Sequence, residues 1–405
     1  MKILVLNSGS SSLKFKLFMQ KKLLASASGL IEQIGDEESS ALLTFIDDLG
    51  NNKKLQLNSP IPDHRKAIKV MTVMLRESGM LTDLKELTGI GHRVVHGGES
   101  FQQPVRIDEN VIAAIKKLIP LAPLHNPANL IGIEVAAEHA PRIPQVAVFD
   151  TAFHQSIPAH AYLYALPYYL YKKKKIRRYG FHGTSHAYVA RQAAQYLDTP
   201  IEELNIITLH LGNGASAAAI QGGRCIDTSM GMTPLEGLVM GTRSGDIDPA
   251  ILFYLARESG LGIDELDTLL NKKSGLKGIC GDNDMRRICE SAAQENRHAK
   301  FALNVFCYRL KKYIGSYMAA LGGVDCIVFT GGIGENSGTV RWKCCLGMER
   351  LGISLDSRKN SLQQNDIREI QKKGSQISLL VIPTDEEYEI ASQTLQVISD
   401  NNGAL

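Results

Sequence analysis

The sequence predicts an α/β protein of two domains, and three observations carry that expectation. Short apolar runs of strand length, each closed by glycine or polar turn residues, alternate with longer stretches of helical periodicity. Two hairpin-like segments of one design stand about half a chain apart. The length, 405 residues with 44% apolar and 21% charged, exceeds what a single hydrophobic core holds, and a cleft between domains is the default place for a ligand.

Residues 3–6, 145–149, 205–209, 325–330 and 379–382 are the apolar runs expected as strands. Between 263 and 270, and from 301 to 321, apolar residues recur every three or four positions, as amphipathic helices require. The segments ILVLNSGSSSLKFKLF and IITLHLGNGASAAAIQGG each read strand, Asn- and Gly-rich turn, strand. Such turns are expected to place φ > 0 residues between paired strands. Two copies suggest an internal duplication, hence two related α/β domains around a central cleft.

A net charge of +3, from 45 basic and 42 acidic residues, gives no field that would imply nucleic acid or an anionic membrane as partner. The first apolar run is too short for a signal peptide and no stretch approaches a membrane span, so a soluble cytoplasmic protein is expected. Seven cysteines lie scattered, without CxxC pairs or histidines nearby in sequence, which argues against both a disulfide framework and a zinc site; adjacent Cys344 and Cys345 read as ordinary thiols. The basic run from Lys172 to Arg178 reads as a solvated loop or helix end rather than a nucleic-acid patch.

Several loops carry chemistry. In the first hairpin Asn7, Ser10, Ser12 and Lys14 surround a turn whose backbone N–H groups could cradle a phosphate, although a plain polar hairpin explains them equally well. The second, HLGNGAS, has the same ingredients with Asn213 as the amide. TGGIGENS puts glycines where a strand turns into a helix; neither a Walker A loop nor a dinucleotide fingerprint with its ribose-binding acid is present. Arg93 in HRVVHGGES and Arg243 in MGTRSGDIDP sit among compact neighbours that let a guanidinium reach an oxyanion. Asp150 in FDTAFH, and Asp385, Glu386 and Glu387 in TDEE, stand at strand ends where carboxylates commonly hold Mg²⁺, the bland alternative being a helix cap. His182 lies in the polar loop FHGTSH.

Taken together, NSGSSSLKF, HRVVHGGE, PLHNP, FDTAFH, RRYGFHGTSH, LGNGAS, MTPLEG, MGTRSGD, GGIGENS and DEE, in this order, resemble the acetokinase family of acetate kinases from residue 1 to about 390. The resemblance implies two duplicated RNase H-like domains of the actin, heat-shock chaperone and sugar kinase type. Residues 1–150 plus 386–405 would form one, and 151–385 the nucleotide-binding other. It implies reversible transfer of the ATP γ-phosphoryl group to acetate, with Mg²⁺, replaceable by Mn²⁺, and a homodimer. By the family's pattern Arg93 would bind the acetate carboxylate, while Val95, Leu124, Phe181 and Pro234 would line the methyl pocket. His182 and Arg243 would stabilise the transferring group, with Asp150 also catalytic. Asn7 and Glu386 would hold the metal. The nucleotide would rest on His210, Leu211, Gly212, Asn213 and Gly214, on Asp284, Met285 and Arg286, and on Gly332, Ile333, Gly334, Glu335 and Asn336, with Lys14 near the phosphates. In one departure, GLKGICGDNDMRR looks about a residue shorter than the family's usual run before Asp-Met-Arg.

Acetate is already ionised at neutral pH, so attack on the phosphoryl group needs no general base. Asp150 is therefore expected to orient metal or water and to balance the arginines. The nearest rival is a propionate or butyrate kinase of the same family; bulky, β-branched Val95 favours acetate by shortening the pocket. A chaperone-like or actin-like ATPase has no need of the two arginine loops.

Overall fold

The computed structural model describes residues 1–402 except Lys21, Asp48, Leu124 and Asn365. The chain divides into two compact units, Met1–Ala152 with Asp385–Leu405, and Phe153–Thr384.

The first unit is built on an eight-stranded sheet: β1 (Lys2–Ser8), β2 (Leu13–Met19), β3 (Leu24–Glu32), β4 (Ser40–Ile46), β5 (Asn52–Asn58), β6 (Gly89–Val94), β7 (Val105–Arg106) and β8 (Gln145–Phe149), in the order β5-β4-β3-β2-β1-β6-β8-β7. Residues 3–6 read as a continuous apolar run because β1 is central and covered on both faces. Ile3 and Val5 pack with Ile390, Ala391 and Ile398 of the helix Glu386–Asn402, whereas Leu4 and Leu6 face Ile68 and Met71 of the helix His64–Glu77.

The second unit carries β9 (Asn205–Leu211), β10 (Ala215–Gln221), β11 (Arg224–Thr228), β12 (Cys326–Thr330), β13 (Arg368–Glu369) and β14 (Ser378–Val381), in the order β11-β10-β9-β12-β14-β13. This order repeats β3-β2-β1-β6-β8-β7 strand for strand. In both sheets the first three strands are antiparallel, the next two run parallel to the third, and the edge strand turns back antiparallel. The duplication expected from two hairpins thus extends over six strands; the first unit adds β4 and β5. The alanine-rich β10 accepts close packing: Ala218 and Ile220 meet Val189, Ala190 and Ala193 of the helix Gly183–Tyr196.

Two expectations are corrected, and one contact is added that spacing does not reveal. None of Gly9, Gly212 and Gly214 adopts positive φ, so the hairpin glycines serve close approach rather than left-handed backbone. The basic run is solvated only in part. Lys172 to Lys175 are exposed at the end of the helix Tyr168–Lys174, but Arg177 is buried with its guanidinium 3.7 Å from the Tyr162 ring centre, and Arg178 bonds Glu236 at 2.7 Å and the carbonyls of Thr228 to Met230. Cys225 does have a histidine beside it, His154 Nδ1 at 3.1 Å, from a position 71 residues away that spacing does not reveal. Burial pushes that thiol well up, so it is inert. No helix among the described residues is long and apolar enough to cross a membrane.

Candidate active site

In the first unit the site grows from the ends of neighbouring strands. Arg93 is on β6, and Asp150 follows β8, the strand paired with β6. The guanidinium donates from Nε to Asp150 Oδ1 at 3.0 Å and from Nη2 to Oδ2 at 2.7 Å. The Asp150 side chain is 1% exposed and that of Arg93 18%. Burial opposes the Arg93 charge, but Asp150, then Glu386 and Glu387, hold its pKa above the ordinary range. Burial also raises the Asp150 carboxyl, against the pull of Arg93, and the charge of Glu386 adds to the rise.

The loop after Arg93 leaves the sheet, and its backbone is satisfied by side chains instead of a ladder. Val95 N–H donates to Asn129 Oδ1 at 3.0 Å, His96 N–H to Asn126 Oδ1 at 3.1 Å, and Gly97 N–H to Thr151 Oγ1 at 3.0 Å. Asn129 Nδ2 continues to Ser8 O at 2.8 Å, tying this loop to the end of β1. Both asparagines come from the first turn of the helix Asn126–His139, in and just after the PLHNP segment, and sequence reasoning gave neither of them a role. The signal was there: two amides in a run that is otherwise largely buried and apolar.

Asn7 lies opposite Lys14 in the β1–β2 register, and His64 Nε2 contacts Gly9 O at 2.7 Å, fixing the turn. Glu386 opens the helix Glu386–Asn402 beside two acids with cationic partners, Asp385 with Lys16 at 2.8 Å and Glu387 with Lys14 at 3.4 Å. The charge of Glu386 raises the cost of charge on Asp150, and oxygen-only donors of this kind suit a hard divalent cation. Leu124 lies outside the described residues.

In the second unit His182 caps the helix Gly183–Tyr196 with φ 57°, a left-handed conformation that a non-glycine residue holds only under strain. Its Nδ1 meets Ser216 Oγ at 2.8 Å, the same hydroxyl meets His186 Nε2 at 2.8 Å, and His186 Nδ1 meets Thr208 Oγ1 at 2.7 Å. A hydroxyl can donate to one ring only, so the proton arrangement of His182 is tied to that of buried His186. Burial holds His186 well below its ordinary pKa, hence neutral. The His210 ring stacks on His182 at 4.3 Å between centres, and Ser185 Oγ bridges His210 Nδ1 and Thr384 Oγ1, each at 2.8 Å.

The reason for glycine at 214 is now visible. A Cβ there would lie 3.5 Å from His182 Nε2 and 3.7 Å from Arg243 Nη1, so the imidazole and the guanidinium converge on the gap it leaves. Arg243 Nη1 donates to Pro234 O at 3.2 Å, and among the described residues no carboxylate pairs with this half-buried guanidinium. Burial accordingly lowers its pKa. Phe181 is buried and Pro234 half-buried near these groups in sequence; Val95, also buried, belongs to the first unit.

A cavity of about 1000 Å³ adjoins this gap within the same unit. Gly212, Asn213, Asp284, Met285, Arg286, Gly332, Ile333 and Asn336 all line it. The other residues expected at a nucleotide stand behind or apart from that lining. Leu211 is buried, His210 stacks on His182, and Gly334 is buried. The Glu335 carboxylate accepts from Gly331 N–H at 2.9 Å and Thr384 N–H at 3.2 Å. Gly331, at φ 75°, begins the helix Gly331–Asn336 so close to β9 that a Cβ would sit 2.8 Å from Leu211 O. Asp284 caps the next wall, the helix Met285–Ala293, and holds Arg286 by two side-chain bonds of 3.0 and 2.6 Å.

Comparison with known proteins agrees with this architecture. A model of the acetokinase family matches residues 2–392. An acetate kinase of Syntrophobacter fumaroxidans is 53% identical over 399 residues, 98% of this chain and 97% of its own. The crystal structure of Porphyromonas gingivalis acetate kinase superposes with a TM-score of 0.92 at 46% identity, covering 98% of this chain and 99% of that one. A propionate kinase of Francisella tularensis follows at 0.91 and 42% identity, again over 98% and 99%.

Proposed function

This chain belongs to the acetokinase family, and from that premise we propose that it moves the γ-phosphoryl group of ATP reversibly onto acetate, giving acetyl phosphate and ADP by direct in-line transfer. The observation that carries the reading is Arg243, a half-buried guanidinium with no carboxylate partner among the described residues, set with His182 around the vacant side of Gly214. A phosphoryl group in flight spreads charge over three equatorial oxygens, so an enzyme that transfers it needs positive donors held ready and little other chemistry.

Arg243 and His182 Nε2 are the donors to those oxygens. If Ser216 donates to Nδ1 of His182 and accepts from Nε2–H of His186, neutral His182 carries its proton on Nε2, toward the phosphoryl group. Gly214 allows the close approach. Arg93, aligned by its two bonds to Asp150, presents its remaining N–H groups to the acetate carboxylate. Acetate attacks as the anion, so Asp150 acts as a positioning group rather than a base. The base and ribose of the nucleotide occupy the large cavity, with Ile333 and Met285 as apolar surfaces and the Asp284–Arg286 pair at its mouth.

Asn7 and Glu386 are the residues that would hold Mg²⁺, or Mn²⁺ in its place, and Asp150 adds to the anionic field there. The ion, when bound, neutralises charge on the phosphates. Val95, buried in the first unit, and Phe181, buried, with Pro234 in the second are the apolar residues that the family's pattern assigns to the acetate methyl group, where a short pocket favours acetate over propionate. Phe301, Val305 and Tyr308 leave one face of the helix Arg297–Leu321 apolar and exposed, which a second copy would cover in a homodimer. A Tyr308→Glu variant that still sediments as a dimer would refute that face.

The activity is tested by trapping acyl phosphate as the hydroxamate in the presence of ATP, Mg²⁺ and acetate, propionate or butyrate in turn. Hydroxamate formed with acetate, and only with ATP and the metal present, is the expected result. ATP hydrolysis without any acyl phosphate would instead favour an ATPase.

A further inference from the structure

Next to the large cavity is a second one of about 550 Å³, which shares Asn336, Gly338, Thr339 and Gln363 with it. Arg341, Lys343 and Arg368 line this smaller cavity, and among its described lining residues there is no Asp or Glu. Both guanidiniums are withdrawn from water, with Arg341 at 1% and Arg368 at 7% exposure. Buried charges are ordinarily matched by opposite ones. Here Arg341 donates only to neutral oxygens: Nε to Asn360 Oδ1 at 2.7 Å, Nη1 to Gly334 O at 2.7 Å and Glu335 O at 2.9 Å, and Nη2 to Asn360 O at 2.8 Å. Arg368 donates to Gln364 O at 2.6 Å and Glu335 O at 2.8 Å, and its buried Nε has no hydrogen-bond partner among the described residues. Burial first, and then the charge of Arg368, bring the Arg341 pKa down to about 10. The acid whose charge Arg368 does feel, Glu335, has its carboxylate engaged by Gly331 and Thr384 N–H groups.

A second feature adds to the positive field. The eight-residue helix Gly338–Cys345 starts at the cavity, with Gly338 and Thr339 in the wall, and a helix N-terminus favours an anion. Trp342, Leu346 and Leu362 supply apolar surface beside the cationic groups.

We propose that this cavity binds an anion of the phosphate class, either free phosphate or the phosphoryl end of a small organic phosphate, and that its occupancy is coupled to the neighbouring cavity. The coupling has a direct route. Arg341 and Arg368 hold the carbonyls of Gly334 and Glu335, in the same short helix whose Gly332, Ile333 and Asn336 line the larger cavity. An anion that draws on either guanidinium changes what those carbonyls receive. The coupling rests on the reading that the larger cavity takes the nucleotide; the anion site does not.

Trp342 lines the site and is the chain's one tryptophan, so its emission reports occupancy. The full chain is titrated with inorganic phosphate and, separately, glycerol phosphate, at ionic strength fixed with chloride, with and without saturating ADP. The expected result is a saturable change that persists with ADP and is weakened at least about tenfold in Arg368→Gln and in Lys343→Gln, each having lost a charge-assisted bond to the anion. Lys343→Gln keeps the test decisive if Arg368→Gln does not fold. A response to glycerol phosphate alone assigns the site to organic phosphates, and a response to both assigns it to the phosphate group itself. No saturable change, the same change from chloride, or unaltered affinity in the variants overturns the site. An ADP affinity that phosphate leaves unmoved overturns the coupling, since linkage is reciprocal.

Discussion

Arg93 and Asp150 are joined by two hydrogen bonds, 3.0 Å from Nε and 2.7 Å from Nη2, with the carboxylate at 1% exposure. Two bonds fix the plane of the guanidinium as well as its position, which one bond cannot do. Asp150→Asn keeps the shape but replaces one acceptor oxygen by a donor facing Arg93. We expect kcat to fall roughly a hundredfold, the scale of a misplaced group of about 1 Å, with a raised KM for acetate and an unchanged KM for ATP. Steady-state kinetics on the purified variant check this; unchanged kinetics would remove Asp150 from the positioning role.

The two arginines differ in what their removal leaves behind. Arg93→Ala strands the buried Asp150 carboxylate and should destabilise the protein by about 3–5 kcal/mol, as breaking a buried pair does. Arg243→Ala strands no charge, because no described carboxylate pairs with it and only the Pro234 carbonyl loses a donor, so thermal stability should hold or rise. Its kcat should nevertheless fall by roughly three to five orders of magnitude, the scale for an arginine on a transferring phosphoryl group. Calorimetry and kinetics on both variants separate the cases. Near-normal turnover in Arg243→Ala would place that side chain away from the reacting group.

Gly214→Ala offers a cleaner probe of the same region. The backbone there is not left-handed and the new methyl would meet its neighbours at ordinary contact distances, 3.4 Å or more, so the fold should be untouched. The methyl would nevertheless fill the gap between His182 and Arg243. We expect an unchanged melting temperature with kcat down at least about tenfold, the scale of one displaced charged contact. Equal turnover would show that the gap is not where phosphate passes.

Much of this architecture was legible in the sequence, for a physical reason. Central strands covered on both faces, such as β1, β8 and β12, must be apolar along their buried middles, and they read as such. The six-strand repeat was visible only through its two hairpins, because the crossover elements between repeated strands differ in length and kind. The Arg93, Arg243, Gly212 to Gly214 and GGIGEN loops stood out by composition. What composition could not show is pairing across distance. His182 and His186 share Ser216 from 34 and 30 residues away, and Asn126 and Asn129 hold a backbone loop 30 and 34 residues upstream. The hairpin glycines misled, because turn propensity cannot distinguish a need for positive φ from a need for space.

Buried histidines set an acid limit. Burial first holds His92 and His154 each at about 4 when folded, against about 6.5 when unfolded. Below about 6.5 the unfolded chain takes up protons that the folded chain refuses, so this stability is fully present above that pH and is lost as pH falls toward 4. Each histidine contributes up to about 1.4 kcal/mol per pH unit across the window. Denaturant unfolding between pH 7 and 4.5 should show the loss, and His92→Gln should reduce the slope by about one proton. An identical slope in the variant would mean that His92 titrates normally in the fold.

Val95 is 9% exposed and follows Arg93 by two positions, in the loop that leaves β6, and the family's pattern assigns it to the methyl end of the acetate site. Val95→Ala removes two methyl groups and should narrow the preference for acetate over propionate, within the roughly 1–3 kcal/mol that one methylene is worth. A preference that stays the same or widens would exclude Val95 from the acceptor pocket.

The most direct test of the whole account is kcat/KM for acetate against propionate, measured side by side with saturating ATP and Mg²⁺. A Francisella tularensis propionate kinase superposes on this chain with a TM-score of 0.91, so the backbone alone does not decide between the two acids. The account predicts the larger value for acetate, and an equal or larger value for propionate would contradict it.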